Sequence, residues 1–91
     1  VKYNKMTVKY NKIEKIINDW DPINLFPYSP PDEYRTEIEK IYNSCDKVCD
    51  KEALGRLIYK VFVDEFGDDV FKFNVNKCVE IAGLILSEDT L

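Results

Sequence analysis

The side chains in this sequence that are equipped for chemistry are three thiols (Cys45, Cys49, Cys78), three serine hydroxyls (Ser29, Ser44, Ser87) and the adjacent carboxyls Asp32-Glu33 and Asp68-Asp69. The chain has no His. That removes imidazole as a general base, as the partner of a Ser or Cys nucleophile, and as a zinc ligand. The serines are therefore left without a base. Neighbouring residues on a helix point in different directions, so neither acid pair presents two carboxyls to one substrate atom. Cys45 and Cys49 share a helix face at a spacing of four, which is not the close spacing of a zinc knuckle, and they read as small apolar packing groups. Gly55, Gly67 and Gly83 are isolated, so there is no glycine-rich phosphate loop. The stretch from Asp64 to Asp69 lacks the spaced oxygen ligands and terminal glutamate of a calcium hand. The residues point to a non-enzymatic protein with no cofactor, no metal and no catalytic residues.

Charge is what the chain has in quantity. Its 17 acids and 13 bases leave a net charge of −4. In the first fifteen residues Lys2, Lys5, Lys9, Lys12 and Lys15 stand against Glu14 alone, a local +4, so residues 16–91 carry −8. Such a body repels phosphate, which argues against direct binding of nucleic acid, and suits a basic protein partner. The candidate contact surface is Asp64, Glu65, Asp68 and Asp69 around the end of the third helix, with Asp46, Asp50 and Glu52 as a second cluster. Tyr59, off the apolar stripe of its helix, and Tyr28 are candidate aromatic anchors for the same contact. Trp20, Tyr34 and Phe62 are assigned to the core.

These residues must be positioned by a single core, because 91 residues supply no second domain. The odd number of cysteines, set in helical segments, fits reduced thiols and a cytoplasmic location, and no export signal or membrane anchor is expected. Val1-Lys2-Tyr3-Asn4-Lys5 recurs as Val8-Lys9-Tyr10-Asn11-Lys12; residues 1–7 read as a frayed or non-native extension and 8–91 as the domain.

Tyr10, Ile13, Ile17 and Trp20 recur at helical spacing and predict a helix over 8–20, ended by Pro22. Residues 21–31 form an apolar, proline-rich loop that must pack on the body. Ser29 or Asp32 then starts a second helix, with Tyr34, Ile38, Ile41, Tyr42 and Cys45 inward and Arg35, Glu37, Glu39 and Lys40 solvated. Asp50 caps a third helix with Leu54, Leu57, Ile58, Val61, Phe62 and Phe66 inward, closed by Gly67, and Gly55 hints at a close helix approach. Residues 70–73 alternate and read as a short extended segment or a single helical turn, the turn being preferred. Asn74 caps a fourth helix with Val75, Cys78, Val79, Ala82, Ile85 and Leu86 inward. Ile81 and Leu84 fall off that stripe, so either this is the central helix of the bundle or one side of it meets a partner, such as a second copy in a homodimer. Short connections make the fold class all-α, a compact up-and-down four-helix bundle.

Trp20-Asp21-Pro22, then Pro31-Asp32-Glu33-Tyr34 with Glu37-Ile38, and later Leu57-Ile58-Tyr59-Lys60-Val61-Phe62 with Phe66-Gly67, resemble DUF1871, a family of small helical bacterial proteins of unknown function. The resemblance spans most of residues 8–86 and implies an all-helical single domain, with no catalytic residues to carry over. In length, acidity and helical type the chain is also similar to bacterial immunity proteins that neutralise nuclease toxins, although the tyrosine-pair motif of the colicin inhibitors is absent. The expected function is binding and neutralising a cognate, basic toxin domain. The alternative is a regulatory or scaffolding protein acting as a homodimer.

Overall fold

Four stretches of the chain repeat apolar side chains every three or four residues, and in the computed structural model each is an α-helix. They are α1 (Lys5–Trp20), α2 (Arg35–Ser44), α3 (Lys51–Phe66) and α4 (Val75–Leu86). The structure describes residues 5–26, 32–45 and 50–87, with the side chains of α1 described from Tyr10 onward. Tyr28, Asp46 and Cys49, and residues 27–31 of the proline-rich connection, lie outside the described residues.

Each helix packs on the next and α4 returns to α1, closing the ring, with α3 and α4 sharing the most extensive contact. Direction follows from which ends meet. Tyr10 meets Tyr42 at 5.1 Å and Lys12 Nζ donates to the Ser87 carbonyl at one pole, while Trp20 meets Phe62 at 5.8 Å and Tyr34 meets Phe66 at 6.5 Å at the other. Consecutive helices are therefore antiparallel, as their short connections require, and the fold is the all-α up-and-down bundle. The radius of gyration, 12.8 Å, is close to the ~12 Å of a compact chain of this length.

The core is built from the expected stripes: Ile13 and Ile17 of α1, Ile38 and Ile41 of α2, Leu54, Ile58 and Phe62 of α3, and Cys78, Ala82 and Ile85 of α4 are buried. Gly55 shows why α3 and α4 lie so close. A Cβ on it would fall 2.5 Å from Val79 Cγ2 and 2.7 and 2.8 Å from the Val79 Cα and N, separations no real Cβ tolerates.

The helix starts and stops follow local chemistry. The Asp50 carboxylate accepts the Ala53 N–H at 2.8 Å, and the Asn74 side chain accepts the Lys77 N–H at 2.9 Å. Gly67, at φ +85°, ends α3 by donating its N–H to the Val63 carbonyl at 2.7 Å.

Several expectations are corrected. Residues 70–73 form no helical turn; 68–70 make a turn tied by the Val70 and Phe71 N–H groups to the Gly67 carbonyl, and 71–74 continue without regular structure. The chain straightens there because Phe71 is drawn into the core against Phe62. The second helix begins at Arg35, not at Ser29 or Asp32: residues 32–34 form a turn, and Tyr34, held by the core, takes the cap position without a side-chain cap bond. Ile81 is a core residue at 4% exposure, whereas Leu84 is 54% exposed, so the face proposed for a homodimer loses Ile81. The apolar girth of α4 reflects its contacts with both α3 and α1.

Candidate functional site

The corner between α1 and α2 is organised by the carboxylate of Asp21. The residue sits at φ +49°, in the left-handed region that Asp tolerates better than most, and Asn24 follows at φ +64°. That reversal turns the Asp21 carboxylate back onto the loop. Oδ1 accepts the Leu25 N–H at 2.9 Å and the Tyr34 hydroxyl at 2.6 Å, and Oδ2 accepts the Phe26 N–H at 3.2 Å. The Tyr34 hydroxyl in turn accepts the Ile23 N–H at 3.0 Å. Desolvation works to raise the Asp21 carboxyl, but the hydrogen bonds from Tyr34, Leu25, Phe26 and Asn24 outweigh it and hold it below the usual aspartate range. Burial, and then the neighbouring Asp21 carboxylate, push the Tyr34 phenol well above its usual value, so it stays a donor. Around this knot Tyr34, Phe26, Phe62 and Trp20 pack edge to face. The tryptophan-aspartate-proline and aspartate-glutamate-tyrosine segments thus form one latch that fixes the entry of α2, with both Asp21 oxygens occupied by the protein's own donors.

Glu37 is a correction. The chemistry of its side chain suggested a solvated position, yet it is 4% exposed and its Oε1 is buried without a hydrogen-bond partner. It lies three residues after Tyr34 and four before Ile41, inside the apolar stripe, and that spacing was the available signal. Burial raises its carboxyl above the ordinary glutamate range, and Glu65 and Glu33 add to this against the pull of Lys40. The folded state therefore binds this proton more tightly than the unfolded chain. Its contribution to stability is present below the ordinary glutamate value and is lost as pH rises through the folded value. Glu37→Gln is expected to raise stability at pH 7 by about 1 kcal/mol and to change it little at pH 4. Urea unfolding at the two pH values checks this.

The acids singled out on α3 gather at the latch pole of the bundle. Asp64, Glu65, Asp68 and Asp69 are all exposed there, and Asp32 and Glu33, before α2, are exposed at the same end. Asp64 and Glu65 occupy the last turn of α3, where the helix dipole opposes anions, and no basic residue shares that turn. Two of the four are held by lysines: Asp64 by Lys60 at 3.0 Å, and Glu65 by Lys40 of α2. Asp68 and Asp69 make no ion pair with any described residue. Tyr59 is half-buried, its ring 6.0 Å from Phe71, so it supports this pole from the side. Of the second cluster, Asp50 caps α3 by accepting the Ala53 N–H and Glu52 lies in that helix's first turn; both are exposed, and Asp46 lies outside the described residues. Sequence reasoning missed the exposed Val70 and Phe73 beside Asp68 and Asp69.

The thiols described are packing groups. Cys78 is fully buried, and burial pushes its thiol up to about 12, so it remains protonated; Cys45 is likewise buried. Among the described residues, no group of three His, Cys, Asp or Glu side chains could hold a metal ion. Among the described residues, no helix is long and apolar enough to cross a membrane.

Bundle, latch and acid pole together define a small all-helical domain whose distinctive sequence motif is a structural corner. The family model of the domain of unknown function DUF1871 matches residues 12–88, and the chain belongs to that family. No curated protein and no solved structure matches it.

Proposed function

We propose that this protein is a non-enzymatic, cytoplasmic binding protein that presents the acid pole to a basic protein partner. In its most specific form the reading is an immunity protein that occludes a cognate bacterial toxin domain, such as a nuclease. The observation that carries it is the placing of Asp64 and Glu65 in the last turn of α3, continued by Asp68 and Asp69, which make no ion pair among the described residues. Acids in that position oppose the helix dipole, a cost that their exposed pairs with Lys60 and Lys40 offset weakly and a cationic partner would offset further. The two ion pairs do not cancel the field. Exposed pairs are weak and exchange readily, and a partner's Arg or Lys displaces Lys40 or Lys60 at little cost. A cationic nucleic-acid cleft is the partner surface such a field fits, because complementary potentials speed encounter and exclude wrong partners.

Co-expression with the product of the neighbouring gene tests the reading. The expected result is a complex that co-purifies, together with growth of a host that the partner alone arrests. A partner that neither binds nor is neutralised overturns the immunity reading.

A further inference from the structure

The segment joining α3 to α4 exposes apolar surface in a fixed shape. Val70 is 46% and Phe73 37% exposed, while Phe71 between them is buried and stacks on Phe62 at 5.3 Å. Phe73 rests on Trp20 at 5.3 Å and on Phe71 at 5.9 Å, so its ring is supported from beneath by the aromatic core. Val70 is tied into the Gly67 turn by its N–H at 3.2 Å. Next to this shelf stand Asp68 and Asp69, exposed and without an ion pair among the described residues; Lys72 is the segment's one cation, also exposed. Burying Val70 and Phe73 against a partner removes apolar area from water and orders little that is not already ordered.

We propose that the α3–α4 connection is the docking surface for a basic amphipathic segment of a protein partner. An aliphatic or aromatic side chain seats on Val70 and Phe73, and a Lys or Arg reaches Asp68 and Asp69. The inference rests on the acid-pole reading and deepens it: charge brings the partner in, and the shelf holds it. Charge selects this occupant over the others, because a second copy of the chain would set the same carboxylates against each other and an anionic surface would be repelled.

Trp20 is the chain's single tryptophan and touches Phe73, so its fluorescence reports on the shelf. The experiment titrates the whole protein with a synthetic peptide alternating Leu and Arg, and with an equally charged peptide alternating Ser and Arg, reading Trp20 emission and backbone amide shifts. The expected result is a saturable change in Trp20 emission with the Leu-Arg peptide, weakened about tenfold in Val70→Ser and in Phe73→Ser. Val70→Ser, at the more exposed position, decides the matter if Phe73→Ser fails to fold. Undiminished binding by Val70→Ser, or equal affinity for the two peptides with no Trp20 response, overturns the shelf. If in that case the Ser-Arg peptide still shifts the amides of Asp64 to Asp69, the acid-pole reading stands without it. If neither peptide shifts them, both fall.

Discussion

Asp21→Ala is expected to destabilise the protein by about 3 kcal/mol, the largest loss from any change of a polar side chain described above. Two effects combine. The Leu25 and Phe26 N–H groups and the Tyr34 hydroxyl lose their common acceptor at a half-buried corner, where unpaired donors are costly. Alanine must also adopt φ +49°, which it does less readily than Asp. Asp21→Gly separates these contributions, because it relieves the backbone and not the orphaned donors, and should recover about 1 kcal/mol. Acidity gives an independent check. With its folded-state pKa depressed, Asp21 contributes stability that is present above the unfolded value, near 3.9, and is lost as pH falls through the folded value. The gap between wild type and Asp21→Ala should therefore be full at pH 7 and narrow below pH ~4. Denaturant midpoints across that range measure it, and a gap that stays constant with pH would mean that the carboxylate is not the working group.

Gly55→Ala is expected to lose about 2 kcal/mol, against the ordinary trend in which alanine gains ~1 kcal/mol over glycine within a helix. The added methyl would meet the Val79 Cα and N at 2.7 and 2.8 Å, and backbone cannot step aside as a flexible side chain can. The α3–α4 pair, the largest interface in the bundle, has to part along its length. Gly83 is the internal control: a Cβ there would find only Lys51 Cδ, at 3.7 Å, so Gly83→Ala should gain up to ~1 kcal/mol. Thermal unfolding of the two variants should move in opposite directions. A rise in both would show that helix propensity, and not the close approach at Val79, governs Gly55.

Much of this architecture is legible along the chain because its signals are local. Stripes such as Ile13 with Ile17, or Leu54 with Ile58 and Phe62, repeat at the helical period and end up in the core. Asp50, Asn74 and Gly67 act within a few residues of their own positions, so their capping roles can be read without any tertiary knowledge. What could not be read depends on contacts between distant parts of the chain. Nothing in the spacing announces that Asp21 and Tyr34, thirteen residues apart, share a proton donor and acceptor. The same tie explains why α2 waits until Arg35: Tyr34 is anchored first. Glu37 misleads because residue type argues for solvent while position argues for the core, and position prevails. Ile81 is hidden for the reverse reason, since a helix touching two neighbours buries more than one stripe.

For the surface, charge arithmetic located Asp64, Glu65, Asp68 and Asp69 but could not show that Lys40, from another helix, lies on Glu65. Among the described residues, pairing divides the four acids into two that hold lysines and two that do not. The unpaired pair adjoins Val70 and Phe73, so the part of the pole that has charge to offer is also the part that has apolar surface to bury. Neither fact alone favours a contact surface over a solvated helix end; their coincidence on one turn is what supports the proposed docking surface.

The central claim is tested most directly by association kinetics between this protein and the neighbouring gene's product, comparing wild type with Asp68→Asn/Asp69→Asn and with Glu14→Gln/Glu52→Gln, which removes the same charge elsewhere. The account predicts unchanged thermal stability for the Asp68→Asn/Asp69→Asn variant and an association rate reduced about tenfold at low salt, with a flattened salt dependence, while Glu14→Gln/Glu52→Gln associates like wild type. Equal rates for both double variants, or no association by the wild type, would contradict it.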